Sequence, residues 1–493
     1  MASDIYREGR LGPGVLADVV NYISSYSDDV EIFNAIVEIN MAHVVMLHSS
    51  GYISREEAAA ILRALSKVDQ GAMSKMPKME DAHMLVEAKV IEEAGRAGEN
   101  LNLGKSRNDQ VAAAIRMRLR EYILDVVGSG AQLALKLVEK AREFRNYTMP
   151  GFTHLQPAQP VTLGYVLLAH AEEILRDLHR LVESYNRVNL SPLGAAAMSG
   201  STVRLNRYAL ASLLGFKDVI RNTVDAVSSR DYMIEVLAAM LSISVEASRL
   251  AEHLVLWSSQ EFSYIELPDE YSATSSIMPH KKNPVVAELA RAKAASPLAS
   301  LVAVVAILKS LPYSYNLDLQ DATPYLWRAS KDVLSTLNVL AGAVAGMKAN
   351  PERMLRDASA GFVTGSDLAE YLTVRFGIPF RTSHRIVGRV VRRALDQGLT
   401  WGPALKGLIE SAAAEEGYRV EIPEEELASV MDPAEAVKRR GHVGMSGDGF
   451  DALAIDLETK LRHVLSWRDV VMEELKKSRS LLEERAREIM GGV

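Results

Sequence analysis

Ser106-Arg-Asn-Asp-Gln-Val111-Ala-Ala-Ala-Ile115-Arg-Met-Arg-Leu119-Arg-Glu-Tyr122-Ile-Leu-Asp-Val126 decides the fold class, because its apolar residues recur at intervals of three and four. That spacing puts Val111, Ile115, Leu119, Tyr122 and Val126 on one face of a helix. The same period returns in Leu167, Ala171, Ile174, Leu178 and Leu181, and again in Ile234, Leu237, Leu241 and Val245. Alternating strand-like segments bounded by hairpin turns are hard to find, so the chain reads as all-α.

The helical middle runs from about 107 to about 358, broken by polar and Pro/Gly-rich stretches at 150–157, 190–194, 267–284 and 311–324. The reading divides the chain into an N-terminal helical domain (1–106), a central long-helix bundle (107–358), a C-terminal helical domain (359–465) and a helical extension (466–493). Two uncharged runs, Ala294 to Leu308 and Val333 to Met347, are bracketed by charges and fall short of the ~20 residues of a membrane span. They read as helices buried on all sides in a large bundle or an oligomer.

With 493 residues, 48% apolar and 24% charged, the composition is that of a soluble globular protein. The start, Met1 to Arg10, lacks the basic patch and apolar stretch of an export signal. The absence of cysteine excludes disulfides, thiolate metal sites and a cysteine nucleophile, and fits a cytoplasmic protein. A net charge of −7 without a basic tract argues against nucleic acid, so an anionic substrate must be attracted locally.

Three segments concentrate chemistry. Ser272-Ala-Thr-Ser-Ser-Ile-Met-Pro-His-Lys-Lys-Asn-Pro284 combines hydroxyls, two lysines, an amide and a histidine in one loop, with Glu288 five residues past Asn283. The competing reading is a basic surface turn. Ser106 to Gln110 reads first as an ordinary helix cap, with Asn108 or Asp109 as the capping residue, and the same free amides, a hydroxyl and Arg107 also suit a carboxylate, so both readings can hold together. Thr153-His-Leu-Gln-Pro-Ala-Gln-Pro160 places a histidine in a proline-limited turn before a long helix. His83, in Glu80-Asp-Ala-His83, and Arg230, in Ser228-Ser-Arg-Asp231, gain weight only from company.

In this order and separation, the segments resemble the fumarase/aspartase superfamily, with Ser275 to Pro284 similar to its signature loop. Ser106 to Gln110, Thr153 to Pro160, Tyr315-Asn-Leu-Asp-Leu-Gln320, Ser191-Pro-Leu-Gly194, Glu266-Leu-Pro-Asp269 and Ser366-Asp-Leu-Ala369 are similar to its argininosuccinate lyase branch. The likeness runs from about Ser25 to about Gly388. It implies three helical domains, a central bundle of long helices from four subunits, and active sites assembled from three of them. It also implies reversible β-elimination of argininosuccinate to arginine and fumarate, in arginine biosynthesis, with neither cofactor nor metal. Rival readings are another fumarate-releasing lyase, such as adenylosuccinate lyase, or a crystallin-like structural protein.

Removing a proton from carbon beside a carboxylate creates a dianion, so charge must be stabilised first. Donors at the developing aci-carboxylate contribute ~2.7 to 4 kcal/mol each. The resemblance puts Lys281 and Asn283 in that role, Ser275 and His154 as the base and acid, and Glu288 as the orienter of His154. Ser275 as base needs help from Lys281 and backbone amides, while the reverse assignment satisfies the chemistry too. Ser25, His83, Ser106, Arg107, Asn108, Thr153, Arg230, Tyr315 and Gln320 are carried over as substrate-binding residues. Thr274, His280, Asn102-Leu103 and Thr323 depart from the family pattern, the last where many members carry a lysine.

Overall fold

The computed structural model describes residues 14–71, 73 and 80–491; the start, Met1 to Arg10, lies outside them. Numbering the longer helices in chain order, the N-terminal region contributes α1 (Phe33–Ser49), α2 (Arg55–Leu65) and α3 (Ala82–Ala94). The bundle is built from α4 (Arg107–Glu143), α5 (Leu163–Val188), α6 (Asp231–Ser258), α7 (Val285–Lys293), α8 (Ala295–Leu308) and α9 (Thr323–Ala345). Beyond it follow α10 (Pro351–Ala360), α11 (Gly365–Phe376), α12 (Phe380–Asp396), α13 (Lys406–Glu415) and α14 (Gly447–Met490).

The expected stripes mostly point inward. Ile115, Leu119, Tyr122 and Val126 of α4 and all five apolar positions of α5 are buried. The α6 stripe departs: Val245 is 43% exposed, while Val236, Met240, Ile243, Ala247 and Leu250 are buried. This helix is apolar around most of its girth, so period alone did not select the packed face. At the start of α4, Ser106 is the N-cap, not Asn108 or Asp109. Ser106 Oγ accepts from the Asn108 amide, and Asp109 reaches back to the Ser106 amide at 3.0 Å in a capping box.

Within one chain the two uncharged runs are only partly covered. The run in α8 leaves Leu298, Val302 and Val305 51%, 61% and 41% exposed, so its own chain does not bury it on all sides. The second run, on α9, buries Val333, Leu337 and Leu340 but leaves Val339 exposed. With α7, the α8 run forms a 24-residue segment, Val285–Leu308, long and apolar enough to cross a membrane. Ion pairs anchor α7 to the bundle, Arg291 to Glu252 on α6 at 2.5 Å and Lys293 to Asp332 on α9.

The turn around His154 is a β-hairpin, Thr148–Thr153 paired antiparallel with Gln156–Thr162. Thr153 faces Gln156, so His154 and Leu155 form a two-residue turn, both at positive φ (55° and 58°). Such turns ordinarily hold Asn-Gly or Asp-Gly, and Pro150, Pro157 and Pro160 speak against strands, so neither signal was readable.

A separate apolar core lies within Leu368–Met431, while the N-terminal helices and the bundle share one core. The boundary expected at 465/466 falls inside α14, a continuous helix of 44 residues. Its far half, with Leu482 and Ala486 buried, returns to that shared core. Its C-terminal carbonyls accept from the Arg55 and Arg63 side chains on α2, which also suits the helix dipole.

Candidate active site

One cleft between the N-terminal helices, the start of α4 and the approach to α9 gathers seven of the nine expected substrate-binding residues: Ser25, His83, Arg107, Asn108, Arg230, Tyr315 and Gln320. Thr323 lines it as well. Ser106 stays behind the wall as the α4 cap, and Thr153 lies on the hairpin, away from the cleft. Arg107 and Asn108, in the first turn after the cap, line the cleft, and Asn108 Nδ2 donates to the Ala197 carbonyl at 3.2 Å.

The cleft also holds Asp28, Asp29, Glu80 and Asp81, which sequence reasoning did not single out. Asp81 caps α3 by accepting from the Met84 amide at 2.7 Å and pairs with Arg107 at 2.7 Å. Asp29 is buried, accepting from Ser25 Oγ at 3.0 Å and from the Ala82 amide at 2.9 Å. It therefore holds Ser25 against the start of the helix that bears His83. A capping pattern before α3 was the available signal for Asp81; for Asp29 only its place four residues past Ser25 hinted at it. Behind the wall, Asp109 accepts from the Gly194 and Ala196 amides at 3.1 and 2.9 Å, locking the turn after Ser191 onto α4.

Burial sets the protonation of these groups. It pushes the Asp29 carboxyl up to about 7, with Asp81 adding to the rise and the Ala82 amide opposing it. Burial lowers His83 to about 4 against the pull of Asp81 and of the Gln110 side chain. Burial raises the Tyr315 phenol too, against nearby Arg230. The cleft carries both signs of charge, four carboxylates beside two guanidinium groups.

The expected catalytic residues stand elsewhere on the chain. His154 is at the exposed hairpin tip, and Glu288 is exposed in the first turn of α7. Ser275 lies in a loop closed by a short ladder, Ala273 opposite Asn283 and Thr274 opposite Lys282. Ser275 Oγ accepts from the Ile277 and Met278 amides at 3.4 and 3.3 Å. Lys282 is tied to Glu266 and Asp269 at 2.8 and 2.6 Å, whereas Lys281 is exposed and has no carboxylate within ion-pair distance among the described residues. No hydrogen bond links His154, Ser275, Lys281 or Glu288 to the cleft within one chain, among the described residues.

Residues 24–296 match the family model described as lyase, and residues 362–438 match the one described as argininosuccinate lyase C-terminal. The argininosuccinate lyase of Methanothermobacter thermautotrophicus is 43% identical over 445 residues, covering 88% of this chain and 94% of the relative. That of Methanothrix thermoacetophila is 40% identical over 492 residues, covering 99% and 98%. Among solved structures, an EDDS lyase variant with bound fumarate superposes with a TM-score of 0.85 at 30% identity, covering 94% of this chain and 92% of that one. A class II fumarase from Schistosoma mansoni shares the fold, with a TM-score of 0.70 at 18% identity over 82% of this chain and 90% of the fumarase.

Fold and sequence together define a carbon–nitrogen lyase of the fumarase/aspartase superfamily. Within it, the chain belongs to the argininosuccinate lyase family.

Proposed function

We propose that the chain splits argininosuccinate reversibly into arginine and fumarate, in arginine biosynthesis in the cytoplasm, with no cofactor. The observation that carries the reading is the cleft, where Arg107, Arg230, Asn108 and Ser25 suit carboxylates while Asp28, Glu80 and Asp81 suit the guanidinium arm. A substrate with both kinds of group matches a cleft with both.

In this reading Ser275 is the base. The two amides directed at its Oγ favour an alkoxide, and Lys281, free of competing carboxylates, stands ready with Asn283 for the aci-carboxylate. His154, oriented by Glu288, protonates the leaving guanidino nitrogen. Because these groups lie apart from the cleft in one chain, we place them in a homotetramer, with each site built from three subunits. The exposed apolar face of α7 and α8, with Leu289 56% and Val302 61% exposed, supports burial against further copies of the chain rather than lipid. Ion pairs from α7 to α6 and α9 keep that segment in the bundle.

The test is to mix purified protein with argininosuccinate and follow fumarate by its ultraviolet absorbance, with adenylosuccinate and malate as controls. Fumarate from argininosuccinate alone is expected. Faster release from a control would overturn the substrate assignment.

A further inference from the structure

Beside the cleft, and sharing Arg230 and Leu319 with it, lies a second cavity of about 440 Å³ that the elimination does not use. Three almost fully buried side chains line it: Arg116 and Arg230, each 2% exposed, and Tyr232, 1% exposed. Arg116 donates to the Arg187 and Val188 carbonyls at 2.7 and 3.3 Å and to Ser229 Oγ at 3.2 Å, and its guanidinium lies 3.9 Å over the Tyr232 ring. Arg230 donates only to the neutral Val227 and Ser229 carbonyls.

Among the described residues, neither guanidinium has a carboxylate within ion-pair distance. Nε of each and the Tyr232 hydroxyl have no hydrogen-bond partner. Of the other charged lining groups, Arg187 is paired with Glu235, while Asp225 and Asp231 are exposed and act on Arg116 only through space, beyond ion-pair distance. Helix α6 begins here, at Asp231, without a side-chain cap. Burying two guanidinium groups with no carboxylate in contact is unfavourable, an anion in the cavity offsets that cost, and the uncapped helix N-terminus adds amides for the same charge.

We propose that this cavity is a second binding site, for a small oxyanion held by Arg116, Arg230, Tyr232 and the first amides of α6. Carboxylates and phosphate share the chemistry. Because Arg230 faces both cavities, an anion here draws on the charge that serves the substrate cleft, so occupancy weakens substrate binding.

The experiment is calorimetric titration of the full chain with succinate and, separately, with inorganic phosphate, at ionic strength held constant with sodium chloride. Two classes of site are expected for the probe that fits. Tyr313→Glu, at an 80% exposed lining position, should weaken one class at least about tenfold, whereas Tyr315→Phe should affect only the other. Arg116→Met should lose the same class as Tyr313→Glu, with Arg116→Lys retaining part of it; if Arg116→Met does not fold, Tyr313→Glu decides alone. Succinate binding assigns the site to carboxylates and phosphate binding to tetrahedral oxyanions. A single class for both probes, or Tyr313→Glu indistinguishable from wild type, would overturn the proposal.

Discussion

In the proposed mechanism Lys281 and His154 have different tasks of overlapping magnitude. Proton transfer by a positioned group contributes ~10² to 10⁴-fold, and removing one donor from developing negative charge costs about 10² to 10³-fold. In that mechanism Lys281 acts twice, on the aci-carboxylate and in assisting Ser275, so Lys281→Met is expected to reduce kcat/KM for argininosuccinate at least as much as His154→Asn. Steady-state fumarate release from both variants checks this, and wild-type rates in Lys281→Met would remove it from the site.

His83 and Asp29 make a second residue-scale prediction, with opposite signs. His83 holds at about 4 in the fold against an ordinary 6.5, so between these values the unfolded chain takes up a proton that the folded one refuses. Its contribution to stability is therefore lost as pH falls through that window. Asp29, raised to about 7 from 3.8, keeps its proton in the fold where the unfolded chain has released it, so its contribution grows as pH falls from 7 towards 4. Each effect is at most about 1.4 kcal/mol per pH unit, and together they offset. Relative to wild type, His83→Gln should gain stability on acidification from pH 7 to 4 and Asp29→Asn should lose it, read by urea unfolding at each pH. Parallel pH curves for the three proteins would contradict the buried, uncharged states. Seven of the nine positions that the motifs marked for substrate binding line one cleft, and short polar motifs at helix starts survive as sequence. Asp29 was not legible, since a buried carboxylate that braces a serine leaves no pattern of its own.

At the scale of elements, periodicity identified the long helices and failed where an element obeys another rule. The hairpin around His154 has prolines in its strands and His-Leu where Gly is ordinary, a left-handed turn that the sequence signals of hairpins cannot reveal. What the C-terminal extension packs on was not legible, because its partners lie more than 400 positions away, at Arg55 and Arg63. Being part of the shared core, it should respond like core. Leu482→Ala, at 2% exposure, is expected to destabilise the protein by about 2–5 kcal/mol in chemical unfolding. A loss below about 0.5 kcal/mol, the scale of a surface substitution, would mark α14 beyond 465 as an independent appendage.

Across the whole molecule, the uncharged run in α8 was legible as a helix needing cover, but not as one whose own chain leaves Leu298 and Val302 open. Sequence period reports that a face is apolar without saying which molecule covers it. The same separation governs chemistry: the cleft with Tyr315 and Arg230, the hairpin with His154 and the loop with Ser275 do not meet in one chain. If each site takes these pieces from different subunits, two inactive proteins can repair one another. His154→Asn and Ser275→Ala, each inactive alone, should regain fumarate release from argininosuccinate when unfolded together and refolded as mixed assemblies. Activity well above the sum of the separately refolded variants is the expected result; mixed assemblies as inactive as their parents would contradict a site shared between subunits.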